Sequence, residues 1–238
     1  MVIGCGTAAT RELLSLGVPG DRTVTVANAV AARPTRRPEE VRREFGASDA
    51  ELVVSVGRYV EQKNQSLLLE ALALLARTRP RLKALLVGSG PLEGDLRRRV
   101  EELGLSEVVL ITGERADAVD LIAAADVFVL SSSWEALPVT LLEAASLGRP
   151  IVATAVRGVV GTIRHDSNGL LVAPDSPVAL AGGIAAVLDD EPLATKLGEG
   201  ASAFAERACA ERAMLERYAV VYSCALERRG RWLASGPG

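Results

Sequence analysis

The sequence predicts an α/β protein built on a Rossmann-like parallel sheet with helices on both faces. Three observations carry this. From about residue 50, short runs rich in Val, Leu and Ile alternate with stretches of helical periodicity. The runs are continuously apolar, as in strands covered on both faces, rather than alternating in polarity. Apolar residues make up 49% of the 238-residue chain and aromatics only 3%, so the core is assembled from Ala, Val and Leu.

Each element has a local reason. Leu52–Val56 reads as a strand, and 65–78 as a helix with apolar positions at 67, 68, 69, 71, 72 and 75. Leu82–Val87 is the next strand, followed by a helix over 91–103 with proline in its first turn. A strand at 108–111, a helix near 116–124, a strand at 127–130, a helix at 139–147 and strands at 151–153 and 169–172 continue the rhythm. Two or three helices close the chain between about 178 and 228.

The first fifty residues differ. Strands at 2–4 and 23–27 flank a helix at 8–16. RPTRRPEE then leads into a short helix at 39–45. Residues 1–32 read as a fragment of another sheet, 33–49 as a linker, 50–208 as the Rossmann-like domain, and 209–238 as a C-terminal helix and tail.

Composition excludes several function classes. A net charge of -3 gives no electrostatic footprint for nucleic acid. Cys5, Cys209 and Cys224 lack metal-ligand spacing and read as reduced thiols of a cytoplasmic protein. No apolar run reaches the roughly 18 residues that span a bilayer, and the N-terminus lacks the basic and apolar regions of a signal peptide.

Three motifs carry chemistry. In VSVGRYVEQKNQ, Gly57 and Arg58 follow a strand and Lys63 precedes a helix. A guanidinium and an ammonium at the mouth of a parallel strand suit a diphosphate, bidentate for Arg and as a point charge for Lys. In LVGSGPLEG, the glycines at 88, 90 and 94 form a turn into a helix. Their G-x-G-x-x-x-G spacing is one residue too long for a dinucleotide fingerprint, which argues against a nicotinamide dehydrogenase.

The third motif, SSSWEALPVTLLEAASLGRP, holds two glutamates eight positions apart, Glu135 and Glu143. The helix starting near Val139 offers free N–H groups and a positive dipole end to an anion. Pro138 has no N–H, so the amides of Val139 and Thr140 and the Thr140 hydroxyl carry that task. Glu143, about one turn further in, can accept two hydrogen bonds from a ribose diol.

These motifs resemble the C-terminal, nucleotide-sugar-binding half of group 1 glycosyltransferases, family 4, of the GT-B fold. The strand–Gly57-Arg58–Lys63 pattern, the glycine turn at Gly88 with Gly113, and the E-x7-E string Glu135–Glu143 match the family's donor site. Ala125-Asp126-Val127 and Asn168-Gly169-Leu170-Leu171 also match, with Asp126 read as a structural cap. Asn28 and Val30 resemble the interdomain N-G-V hinge, with Ala29 in place of glycine. Val160 and Gly161 stand where members usually carry a proline-glutamate pair.

The resemblance implies a retaining, metal-independent transferase moving a hexose from a UDP- or GDP-linked sugar. Gly57, Arg58, Lys63, Gly88, Gly113, Glu135, Val139, Thr140 and Glu143 would bind the donor, with Arg58, Lys63 and Glu135 at the reacting centre and no cofactor or metal. The acceptor, whether glycan, lipid or small molecule, is not specified by the residues. Residues 1–32 are then a remnant of the N-terminal domain, expected to be disordered, to self-associate, or to meet a separate N-terminal-domain chain. Localisation is expected to be cytoplasmic, with peripheral attachment to the inner face of the membrane left open. Two alternatives remain: a partner-dependent nucleotide-sugar-binding module, and a sugar-nucleotide epimerase of the same fold. His165 in RHDSNG is expected to be an exposed turn residue.

Overall fold

The structure, a computed structural model, describes residues 1–208 and 211–235. Its main sheet has six parallel strands, β3 (Glu51–Val56), β4 (Leu82–Val87), β5 (Val109–Gly113), β6 (Val127–Leu130), β7 (Ile151–Thr154) and β8 (Leu170–Val172). They lie in the order β5-β4-β3-β6-β7-β8. The chain therefore winds outward from β3 in one direction, returns to the centre, and winds outward in the other. The predicted parallel sheet with helices on both faces is what the chain forms, and its winding is double.

The strands separate two apolar layers because successive side chains point to opposite faces. Val53, Ala84, Leu86, Val127, Val129 and Val152 pack on one side with α3 (Gln65–Ala76) and α8 (Pro177–Asp189). Leu52, Val54, Leu85, Phe128, Leu130 and Ala153 pack on the other with α5 (Ala118–Ala124) and α6 (Val139–Ser146). Asn64 caps α3 by accepting the Leu67 N–H at 3.3 Å, and Ser176 caps α8 through Ala179 N–H at 3.2 Å, ahead of Pro177.

Several element ends differ from the sequence reading. The helix α4 spans Glu93–Glu102, and Pro91 lies in the turn before it rather than inside its first turn. The glycine turn is held first by Leu92 N–H donating to Tyr59 O, which delays the helix. A short helix α7 (Arg157–Val160) occupies RGVVGTI, where no element was predicted. Three helices close the chain: α8, α9 (Glu191–Ala208) and α10 (Glu211–Ser235). Cys209 lies outside the described residues, while Cys5 and Cys224 are free thiols. Among the described residues, no helix is long and apolar enough to cross a membrane.

Residues 33–49 are pinned to the main body. The Asp120 carboxylate, itself buried, accepts from Thr35 N–H, Arg36 N–H and the Thr35 hydroxyl at 2.6, 3.2 and 3.0 Å. The helix α2 (Pro38–Glu44) buries Val41, and its Arg42 reaches Asp126 at 2.6 Å. Asp126 also accepts the Leu52 N–H at 2.7 Å, so it is a structural cap, as expected.

Residues 1–32 form a βαβ unit. The strands β1 (Val2–Gly4) and β2 (Thr23–Thr25) pair in parallel around α1 (Thr7–Ser15). Thr10 and Thr25 share a hydroxyl hydrogen bond of 2.6 Å. Gly4 is required there, since a Cβ would lie 2.3 Å from Thr10 Oγ1. The expectation of disorder is corrected: this unit packs on its own chain, where α1 meets α7 and Arg157 faces Glu12 at 3.5 Å. Ala29 is not among the positive-φ residues, so alanine replaces the hinge glycine without backbone strain.

Candidate functional site

The switch in winding direction lies between β3 and β6. In open α/β sheets the crevice outside the strand ends at that point receives ligands. Gly57 and Arg58 leave β3 there, and Ser131–Glu135 leave β6. Two motifs more than 70 residues apart in sequence thus become neighbours.

The two segments are stitched together. Ser133 N–H donates to Gln62 O at 2.9 Å, and Ser131 Oγ to Lys63 O at 3.0 Å. Asn64 Nδ2 donates to Ser133 Oγ at 3.1 Å, and Gln62 Nε2 to Trp134 O at 3.1 Å. Asn64 holds a left-handed backbone with φ 44°, which asparagine tolerates better than most residues. Within this frame Lys63 Nζ meets Glu135 Oε1 at 2.5 Å. Ser132 Oγ donates to the same oxygen at 2.7 Å, and Gln62 Nε2 reaches Oε2 at 3.3 Å. The Glu135 side chain is only 5% exposed, so its charge depends on these donors.

Arg58 is placed differently. It is exposed, and its guanidinium has no partner among the described residues. Its backbone is fixed, with the carbonyl accepting from Gln65 Nε2 at 2.9 Å. An anchored backbone carrying a free guanidinium is poised to bind an anion.

Glycine lets the strand ends approach closely. Gly57 N–H donates to Val87 O, and Gly88 N–H to Gly113 O, each at 2.9 Å. Gly88 has φ +145°, and a Cβ on it would lie 2.0 Å from Gly57 O. Together Val56, Gly57, Arg58, Gly88, Ser89 and Glu114 border an open cavity of about 360 Å³. Ligand pockets of small molecules commonly measure ~300–1,000 Å³.

Beyond the loop that leaves β6, α6 begins at Val139 after Pro138. Val139 is 45% exposed, and the buried Thr140 hydroxyl has no hydrogen-bond partner. Glu143 is half-buried, and burial raises its pKa above the usual carboxylate value of 4.5. No partner for its carboxylate occurs among the described residues.

The structure therefore brings Gly57, Arg58 and Gly88 to one cavity, with Gly113 hydrogen-bonded behind them. It gathers Lys63 and Glu135 into an ion pair, and sets Val139, Thr140 and Glu143 along α6. Sequence reasoning missed Gln62, Ser132 and Gly158. A Cβ on Gly158 would lie 2.3 Å from Glu135 O, so glycine lets α7 support the Glu135 loop. The polar run Gln62–Gln65 was visible, but its target across the sheet was not. His165 is 55% exposed at its side chain, as expected of the turn, and its Nδ1 accepts the Leu171 N–H at 3.0 Å. Among the described residues, no cluster of three His, Cys, Asp or Glu side chains could hold a metal ion. A second cavity of about 280 Å³ separates the Glu135 loop from the N-terminal unit and includes Cys5, Asn28, Leu137 and Met214.

This is a doubly wound α/β domain whose winding reverses between β3 and β6. The chain belongs to the glycosyl transferases group 1 family, whose model matches residues 37–204. It is 31% identical over 205 residues to the lipopolysaccharide core biosynthesis glycosyltransferase LpsD of Rhizobium meliloti, covering 86% of this chain and 58% of that protein. It is 32% identical to the D-inositol 3-phosphate glycosyltransferase of Thermobispora bispora, covering 95% of this chain and 56% of that protein. Among solved structures, Anabaena HepE in complex with UDP-glucose superposes with a TM-score of 0.87 at 25% identity, covering 94% of this chain and 64% of HepE. The chain thus spans little more than half the length of these two curated relatives.

Proposed function

We propose that this chain forms the donor half of a retaining family 4 glycosyltransferase and binds a UDP- or GDP-linked sugar at the β3–β6 crevice. The observation that supports this most is the free Arg58 guanidinium at the end of β3, the strand next to β6, whose following helix carries a buried and unpaired Thr140 hydroxyl in its first turn. Arg58 neutralises the leaving diphosphate as charge develops on it, assisted by Lys63 and the amides of Val139 and Thr140. Glu143 accepts from the ribose diol. Glu135 faces the transferred hexose while its ion pair with Lys63 orders the loop. The bond from the sugar's anomeric carbon to the diphosphate oxygen breaks, its bond to the acceptor oxygen forms, and the acceptor's hydroxyl proton passes to the departing diphosphate. Charge stabilisation comes from protein cations rather than a metal.

Residues 50–208 act as the donor domain, and residues 1–32 as part of a facing acceptor domain that closes over it. The protein works in the cytoplasm, at the inner face of the membrane when its acceptor is a lipid. A second reading, a binding module that completes its site with another chain, draws on the share of its relatives' length that the chain matches. Titration of UDP- and GDP-sugars alongside a transfer assay with an N-terminal domain supplied separates the two, since a non-catalytic module then binds donor and still transfers nothing. The 238-residue chain is expected to bind donor without transfer to added acceptors, and with an N-terminal domain supplied it is expected to transfer. Failure to bind any nucleoside diphosphate overturns both readings.

A further inference from the structure

We infer that Glu114 makes the base subsite selective for guanine, so that the donor is a GDP-sugar rather than a UDP-sugar. This rests on the donor-site reading above and narrows it. The cavity of about 360 Å³ beyond the ends of β3, β4 and β5 has Val56, Val87 and Ala118 on its walls, with backbone faces at Gly57 and Gly88. Such surfaces fit a flat heterocycle. Two charged residues from the β5–α5 connection border it, Glu114 and Arg115.

Their charges are not equally available. The Arg115 guanidinium is bound to Asp117 at 2.7 Å and Glu44 at 3.0 Å, and lies over the Phe45 ring at 5.4 Å. These contacts engage Nε and Nη2 and set two carboxylates against its charge. Glu114 is exposed, and the one contact of its carboxylate among the described residues is the Ser89 hydroxyl at 3.3 Å. Ser89 sits in the glycine turn, so this bond holds the carboxylate at the cavity edge. The subsite consequently presents one carboxylate with no cation paired to it, at Glu114, while the charge of Arg115 is offset by Asp117 and Glu44.

A carboxylate is acceptor-only when ionised. The guanine edge offers N1–H and the N2 amino group side by side, two donors matching two carboxylate oxygens. Uracil offers one N3–H between two carbonyl oxygens, which the carboxylate repels. Adenine and cytosine each offer a single amino donor beside an acceptor nitrogen. A site built around a polar partner discriminates sharply against ligands that leave it unpaired.

Calorimetric titration of the whole chain with GDP, UDP, ADP and CDP tests this. GDP is expected to bind about tenfold or more tighter than UDP, the scale of one charge-assisted hydrogen bond. Glu114→Gln and Glu114→Ala are expected to abolish that preference while leaving UDP affinity unchanged or improved. UDP binding as tightly as GDP to the unaltered chain overturns the guanine assignment and leaves the diphosphate site standing. A GDP preference that survives both substitutions removes Glu114 from base selection. If none of the four diphosphates binds, the donor site itself is wrong, and the base assignment falls with it.

Discussion

Lys63 and Glu135, 72 residues apart in sequence, form an ion pair of 2.5 Å across the mouths of the two central strands. The sequence motifs assign one to the diphosphate and the other to the sugar. The fold joins them, so the residue proposed to neutralise the phosphate also fixes the loop proposed to face the sugar. Arg58 has no such second duty.

The two cations are therefore expected to separate in a stability measurement. Arg58→Ala is expected to weaken nucleoside diphosphate binding by about 1.5–3 kcal/mol with no change in urea unfolding. Lys63→Ala is expected to lose similar affinity and to destabilise the fold by about 2–3 kcal/mol, since it strands a buried carboxylate. Neither is expected to alter binding of the nucleoside without phosphates. Equal losses for uridine or guanosine and their diphosphates would place these residues away from the phosphates.

Glu143 makes a prediction with a definite sign. Burial raises its folded-state pKa above 4.5. The folded state thus holds this proton more tightly than the unfolded chain, and the associated stability, complete below the unfolded pKa, is lost as pH rises through the folded one. Glu143→Gln is expected to raise the thermal midpoint relative to the parent at neutral pH and not in acid. The same variant is expected to bind ribonucleotides more weakly, with 2′,3′-dideoxy analogues little affected. Equal losses for both ligands would make the role structural.

Gly158 tests how the Glu135 loop is supported. A Cβ there would lie 2.3 Å from Glu135 O and 2.7 Å from Ala136 O, and backbone atoms cannot yield as a flexible side chain does. Gly158→Ala is expected to cost about 1–3 kcal/mol, as for other overpacked sites, and to weaken sugar-nucleotide binding more than binding of the free diphosphate. Denaturant unfolding and calorimetry on one preparation give both values.

Metal dependence is the fourth test. With Arg58 and Lys63 neutralising the diphosphate, a chelator is expected to leave nucleotide affinity unchanged. A strict requirement for Mg²⁺ or Mn²⁺ would contradict the proposed charge stabilisation.

The architecture was legible in the order of residues alone. Strand runs such as Val127–Leu130 are apolar throughout, and helices such as 65–76 carry a 3.6-residue pattern, so burial on both faces of the sheet followed from local chemistry. The sequence also supplied the motif residues, because their types and short spacings are local facts. Relationships between distant segments emerge only on folding: the Lys63–Glu135 pair, the clasp of Gln62 and Ser132 on that carboxylate, and the support of Gly158 beneath it. Linear spacing does not encode which strand neighbours which, and the reversal of winding between β3 and β6 is what brings these groups together. The remaining charge at Glu114 became legible for the same reason. Arg115 stands next to it in sequence, yet only the folded arrangement of Asp117 and Glu44 shows that one charge is neutralised and the other is available.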